Sequence, residues 1–446
     1  MYSSEIRRRF VDYYKGLGFY VLPRAPMLHP SIPMSFVMSA GLVQIETSLA
    51  QVEDRPGDQF VLVQECFRHF DLDKVGTDDI HLSLFEMPAA FAFGSNGKAE
   101  TIQQIWTLAT DILGIDKHRV WVSYFKGGKV LDDCLPGDEA TRQAWIEVGV
   151  PEKRIVGLGA HENYWVQGGG IDGMETPRKA GPNTELFYDR GAERACSSSC
   201  RPGCQCERFV EFSNSLFICR ELHDHSGFFR PMAEPFVETV IGTERVAMIL
   251  QGARSVFEID RYRPIIDTIH SFVRRRDLPE PLIAASERVI ADYLKALYIL
   301  VADGAPPPGK DGRERIIKLL IRGIITRQTV LGIQSQDFLP ALIDCVAQMV
   351  HSTLRATEED KKRLMFYFST ESQRFSNTIK RGYRQLVRFL KENHGRTLSG
   401  PQIVWLEKRW GLPHILTAVT LQEKGREFAE AEYYETLEAW KQSPHN

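Results

Sequence analysis

Apolar residues follow two different rhythms along this 446-residue chain. Up to about residue 260 they come in short β-rich runs, at 19–22, 60–63 and 120–124, interleaved with helical stretches such as 99–113. Gly and Pro punctuate these runs, as in an α+β domain of short strands and tight turns. Beyond Pro264 the period changes to three and four residues, predicting helices over 265–273, 284–300, 316–325 and 338–354. The breaker Pro306-Pro307-Pro308-Gly309 separates two of these helices. Repeats and low-complexity tails are absent from the sequence. The pattern predicts a mixed domain over 1–260 and a helical domain over 261–446.

Composition narrows this picture only a little. A hydrophobic content of 43% and a charged content of 25% are those of ordinary soluble globular chains. With a net charge of −3, no whole-chain field draws in nucleic acid, so any RNA contact must rest on local basic patches. The opening residues YSSEIRRRF have no apolar core of a secretory signal, and no run of about eighteen apolar residues suits a membrane span. A cytoplasmic location without membrane partners is the expectation.

Candidate chemistry begins at 241–252, IGTERVAMILQG, where Glu244 and Arg245 open an apolar helical run. Gly242 is expected to let a strand end abut the helix, and the planar fork of Arg245 suits a phosphate. An amphipathic helix with a surface ion pair is the plainer reading. The segment resembles motif 3 of class II aminoacyl-tRNA synthetases, most closely the GLERxAxxLQG form of alanyl-tRNA synthetases. Upstream, 64–94 (QECFRHFDLDKVGTDDIHLSLFEMPAAFAFG) resembles motif 2 in its short-loop archaeal style. Here Arg68, His81, Phe85, Glu86 and Met87 match. The two motifs stand in the family's order, about 180 residues apart. Further matches run from SEIRRRF at the N-terminus, through 33–44 (PMSFVMSAGLVQ, resembling motif 1), ENYW, GPNTELFYD and EFSNSLF, to three segments of the helical half.

The resemblance implies a class II fold, an antiparallel sheet flanked by helices, with an all-α domain after it. It also implies ATP-dependent amino-acid activation with Mg²⁺. In such chemistry the protein mainly positions the reactants and places positive charge around phosphorus. Arg68 takes the family's α-phosphate position and Arg245 the γ-phosphate position. His81, Phe85, Glu86 and Glu211 fall at ATP-binding positions, with Glu185 and Glu211 as candidate carboxylates for metal or ribose. Trp165, Asn214, Glu238 and Val240 fall at amino-acid-binding positions. Where alanine enzymes read DTGMGLER, this chain reads ETVIGTER at 238–245, so Glu238 replaces Asp and Val240 replaces Gly. The tryptophan of EIWN is also replaced, by Ser213, which would open volume elsewhere. One methylene in a pocket is worth about 1–3 kcal/mol, so such changes can redirect specificity. Alanine leads, with glycine, serine or a non-proteinogenic amino acid as rivals.

Four of eight cysteines, Cys196, Cys200, Cys204 and Cys206, fall in CSSSCRPGCQC. That spacing suits a structural Zn²⁺ held by thiolates, with free thiols as the alternative; disulfides are disfavoured in a cytosolic chain. A similar knuckle occurs in archaeal-type alanyl-tRNA synthetases. His223 and His225 read as a polar loop.

The helical half carries basic stripes: Arg315, Lys318 and Arg322, then Lys380, Arg381, Arg384, Arg388 and Lys391. Taken alone these are solvated helix faces. The resemblance turns them toward the phosphates of a tRNA acceptor stem. The family reads a G·U pair with an Asn and an Asp, at positions occupied here by Lys310 and Lys408. The chain also stops before the family's usual editing and C-terminal domains, so editing in cis is not expected. Transfer to tRNA, transfer to a small molecule or carrier protein, and a non-catalytic RNA-binding role all remain open, as does the oligomeric state.

Overall fold

The computed structural model describes residues 1–28, 41, 45, 57–94, 97–168, 178–204, 206–222, 227–350, 354, 356–392 and 398–441. The segment resembling motif 1 lies, apart from Gly41, outside the described residues, and so do His223 and His225. Two compact units are formed. The first contains described residues of 1–68 and 78–263, and the second those of 69–77 and 264–446.

The first unit is built on a sheet of nine strands among the described residues. Its strands are β1 (Tyr20–Val21), β2 (Gln59–Phe67), β3 (Leu84–Phe93), β4 (Val120–Phe125), β7 (Ile155–Leu158), β8 (Tyr164–Val166), β9 (Arg178–Asp189), β10 (Phe209–Leu222) and β11 (Arg230–Ile241). A small hairpin, β5 (Gly128–Val130) with β6 (Asp133–Leu135), stands apart from it. The spatial order is β1-β2-β3-β11-β10-β9-β4-β7, with β8 on β9. The pairings are antiparallel except β1 on β2 and β4 on β7, so the sheet expected to be antiparallel is mixed at its edges.

Strand alternation sorts the sheet into two faces. Helices α1 (Ser3–Gly16), α2 (Lys98–Thr107), α3 (Glu139–Glu147) and α4 (Thr243–Gln251) belong to this unit, with α1 packing on β2 and β3 and α4 on β3 and β10. Pro88, Ala90, Thr239 and Ser215 fall on one face. Phe60, Leu62, Ala89, Phe91, Leu216, Ile218 and Phe236 fall on the other, where they form one buried cluster with Ile45. The predicted helix over 99–113 is α2 followed by a wider π turn at Leu108–Ile112. Gly181 is required by close strand approach: a Cβ there would lie 1.9 Å from the Phe217 carbonyl oxygen. Gly242 is not so constrained, since a Cβ would meet nothing nearer than 3.9 Å; its part is to donate its N–H to the Phe212 carbonyl.

The second unit is helical: α5 (Arg263–Phe272), α6 (Glu280–Ala302), α7 (Gly312–Val330), α8 (Phe338–Val350), α9 (Glu358–Glu392), α10 (Gly400–Trp410), α11 (His414–Glu423) and α12 (Glu430–Lys441). The four helices predicted from periodicity are α5 to α8. Helix α6 is buried almost all round, which is why its apolar run is so continuous. Helix α10 starts at a capping box made by Ser399 and Gln402 and ends at Gly411 in the left-handed region, φ 67°. The turn at 69–77 also belongs to this unit: Tyr293 donates to the Leu72 carbonyl at 3.0 Å. No helix among the described residues is long and apolar enough to cross a membrane.

Candidate active site

The sheet face opposite Thr239 and Ser215 gathers several of the predicted site residues. On β9 and β10, Glu185 stands across from Asn214, whose amide donates to the Glu185 carboxylate at 3.5 Å. Between Glu211 and Ser213 the register slips, and this bulge turns Glu211 toward the same face as Asn214. Arg245, in the first turn of α4, donates from one nitrogen to both the Glu211 carbonyl (2.9 Å) and the Glu211 carboxylate (3.1 Å). Burial pushes the Glu185 carboxyl well above its ordinary pKa; the negative charge of Glu211 adds to this, and Arg245 opposes it. The site therefore holds two carboxylates and one guanidinium, a donor set suited to a cation and a phosphate side by side.

Asn183, two residues before Glu185 on β9, extends this row by donating to the Asn214 side-chain oxygen at 3.3 Å and to the Glu162 carbonyl at 3.4 Å. The signal for it in the sequence is strand alternation, which puts positions 183 and 185 on one face. Further along, Val240 stands across from Asn214, Glu238 across from Leu216, and Trp165 across from Gly181. Trp165 and Val240 both pack against the cluster of Phe91, Leu216 and Phe236. Glu238 is buried, at 4% exposure. Ser213 lies on the helix-covered face, where its hydroxyl donates to the Val240 carbonyl at 2.8 Å. The position that holds tryptophan in EIWN thus faces α1 and α4 and not the side of Val240.

Arg68 follows β2, with its backbone N–H on the Ser83 carbonyl and its guanidinium 4.9 Å from the Phe85 ring centroid. His81 makes a short contact through Nδ1 to Asp78. Burial would raise Asp78, but that imidazole and the N–H groups of Ile80 and His81 bring it down to about 2. Glu86 sits elsewhere than expected. Alternation places it on the helix-covered face, 1% exposed, with its carboxylate accepting from Arg7, Thr243 and Arg261.

The cysteines converge. The sulfurs of Cys196, Cys200 and Cys204 lie within 4.8 Å of one another, and Cys206 Sγ is 3.4 Å from Cys200 Sγ. A tetrahedral zinc with bonds of about 2.3 Å separates its sulfurs by little less than 4 Å, so this donor set fits the ion.

In the second unit the predicted cations part company. Lys310, Arg315 and Arg384 are exposed. Burial, then the neighbouring Arg322, lowers the Lys318 pKa. Arg322 itself is committed inward, 2.6 Å from buried Glu371 and over the Phe375 ring. Lys408 pairs with Glu407 at 3.3 Å and lies over the Trp440 ring.

A sheet antiparallel at its centre and flanked by helices is the fold expected of a class II synthetase. The chain belongs to the family tRNA synthetases class II (A), whose model matches residues 5–445. Within it, this is an alanyl-tRNA-synthetase-like protein. It is 29% identical over 443 residues to the alanine–tRNA ligase of Alkaliphilus oremlandii (strain OhILAs), covering 98% of this chain and 48% of that one. It is 31% identical over 446 residues to the alanine–tRNA ligase of Desulforudis audaxviator (strain MP104C), covering 99% and 48%. The chain thus spans about half the length of these relatives. Among solved structures, apo histidyl-tRNA synthetase of S. aureus aligns at 10% identity and TM-score 0.33, over 58% of this chain and 68% of that one.

Proposed function

We propose that this protein activates a small amino acid, alanine in the first place, and transfers it to the 3′ end of a tRNA in the cytoplasm. The observation that carries this reading is the row Asn183, Asn214, Glu185, Glu211 and Arg245 beside Trp165, Val240 and Glu238 on one sheet face. In the first step the substrate carboxylate attacks the α-phosphorus of ATP, the bond to the bridging oxygen breaks, and pyrophosphate leaves with that electron pair. In the second, a terminal ribose hydroxyl attacks the acyl carbon and AMP leaves. Arg68 balances charge at the α-phosphate and Arg245 at the far end of the triphosphate. Glu238 pairs with the substrate ammonium, while Trp165 and Val240 bound its side chain. Glu185 and Glu211 would hold Mg²⁺, which neutralises phosphate charge when bound. Cys196, Cys200, Cys204 and Cys206 would hold a structural Zn²⁺. Residues 1–260 would carry activation, and the helical residues 261–446 would carry tRNA contacts through Lys310, Arg315, Lys318, Arg384 and Lys408.

Transfer to a small molecule or carrier protein is a second reading, favoured by Lys408, whose ammonium is already engaged by Glu407 and Trp440. Incubation with ATP, labelled alanine and total tRNA separates the two. Label that becomes acid-precipitable and is released by mild base supports charging. Adenylate formation with no label on tRNA overturns charging and favours the second reading.

A further inference from the structure

On the helix-covered side of the sheet, five residues from four separate segments of the chain form a buried ionic knot. The Glu86 carboxylate of β3 accepts from Arg7 of α1 at 3.1 and 2.7 Å, from the Thr243 hydroxyl at 2.9 Å, and from Arg261 at 2.9 Å. One residue on, Glu244 accepts the backbone N–H of Glu86 at 3.0 Å and lies 3.9 Å from Arg261. Glu86, Thr243, Glu244 and Arg261 are all buried. A buried carboxylate between two guanidiniums gains little net stability over an apolar filling, because desolvation offsets the attraction. What such a knot does supply is a fixed geometry, since every donor direction is specified. Thr243 and Glu244 are the first two residues of α4, and Arg245 is the third. Side chains at successive helical positions diverge by about a hundred degrees, so clamping 243 and 244 on one side sets the direction of 245 on the other.

We propose that Glu86, with Arg7, Arg261, Thr243 and Glu244, is a positioning device for Arg245, holding the first turn of α4 so that the guanidinium meets Glu211 and, with it, the ATP phosphates. This rests on the ATP-site reading above. Glu86 is a positioning residue and does not touch the nucleotide.

The test is a double-mutant cycle on Mg·ATP affinity, measured by equilibrium dialysis with labelled ATP, which needs no knowledge of the amino acid. Thr243→Val deletes one hydroxyl contact to Glu86 while keeping shape, and Thr243→Ser retains it; Glu86→Gln is the stronger variant, checked for folding by its melting curve. Thr243→Val should weaken ATP binding by about fivefold or more, Thr243→Ser should restore it, and in an Arg245→Ala background Thr243→Val should change it by less than about twofold. Thr243→Val affinity equal to wild type, or the same loss in both backgrounds, overturns the proposal, because a merely structural role would act with or without Arg245. ATP binding by wild type without exchange on any amino acid would sink the ligase reading, while the cycle would still decide the positioning role. Absence of ATP binding by wild type overturns both.

Discussion

Arg245 and Glu211 meet twice: one guanidinium nitrogen donates to the glutamate's backbone carbonyl at 2.9 Å and to its carboxylate at 3.1 Å. The pair joins the first turn of α4 to the bulged strand β10, and across that strand pairing lies Glu185. Arg245 thus stands where its charge can be shared between a carboxylate and an incoming phosphate.

Glu185 titrates high first because it is buried and second because Glu211 repels its charge. Replacing Glu211 by the neutral Gln removes that repulsion, so the Glu185 pKa falls. If ionised Glu185 serves the reaction, the acid limb of the pH–rate profile for Glu211→Gln should move to lower pH. A limb that stays in place or moves upward would contradict the assignment.

Two arginines read from one kind of stripe should behave differently. Arg322→Ala strands the buried Glu371 carboxylate and should lower stability by about 1–3 kcal/mol, read as a lower urea midpoint. Arg384 is exposed, and Arg384→Ala should change stability by less than about 0.5 kcal/mol. Its effect should fall on tRNA instead, weakening binding and reducing the salt slope by about one ion.

The convergence of Cys196, Cys200, Cys204 and Cys206 leads to a defined metal content. Purified protein should carry one zinc ion per chain by elemental analysis. Cys200→Ser should lose most of it, because Cys200 is both a near neighbour of Cys206 and the buried member of the set. Equal zinc in the variant would exclude this cluster as the ligand set.

Glu407 links α10 to α11 and α12, accepting from the Tyr433 hydroxyl at 2.5 Å and facing His414 and Lys408 at 3.4 and 3.3 Å. Burial alone would raise its pKa, but hydrogen bonding and charge from His414, with help from Tyr433 and Lys408, bring it down to about 2. A depressed carboxylate stabilises the fold above its unfolded pKa of about 4.3, and that contribution disappears as pH falls toward the folded value. Glu407→Gln should therefore flatten the dependence of melting temperature on pH between about 4.5 and 2. An unchanged slope would refute the linkage.

Much of this was legible in the chain. The change of period at Pro264 reports helices α5 to α8, because each buries an apolar stripe. Local motifs carried the positions of Arg245, Glu211 and Asn214. What stayed hidden depends on contacts distant in sequence. Glu86 shares a motif with Arg68 and Phe85, yet its partners Arg7 and Arg261 lie 79 and 175 residues away, and only the fold shows it turned to the helix-covered face. Arg322 looks like its stripe neighbours until Glu371, 49 residues on, is packed beneath it. The face on which Ser213 lies follows from the register of β10, which a single motif does not reveal.

Adenylate formation dependent on Arg245 is read by amino-acid-dependent ATP–pyrophosphate exchange. Wild-type protein assayed across a panel of amino acids should exchange with alanine or another small member. Arg245→Ala should lower that rate by about a hundredfold or more while keeping its melting temperature. No exchange with any amino acid, or a rate untouched by Arg245→Ala, would rule out Arg245-dependent adenylate formation.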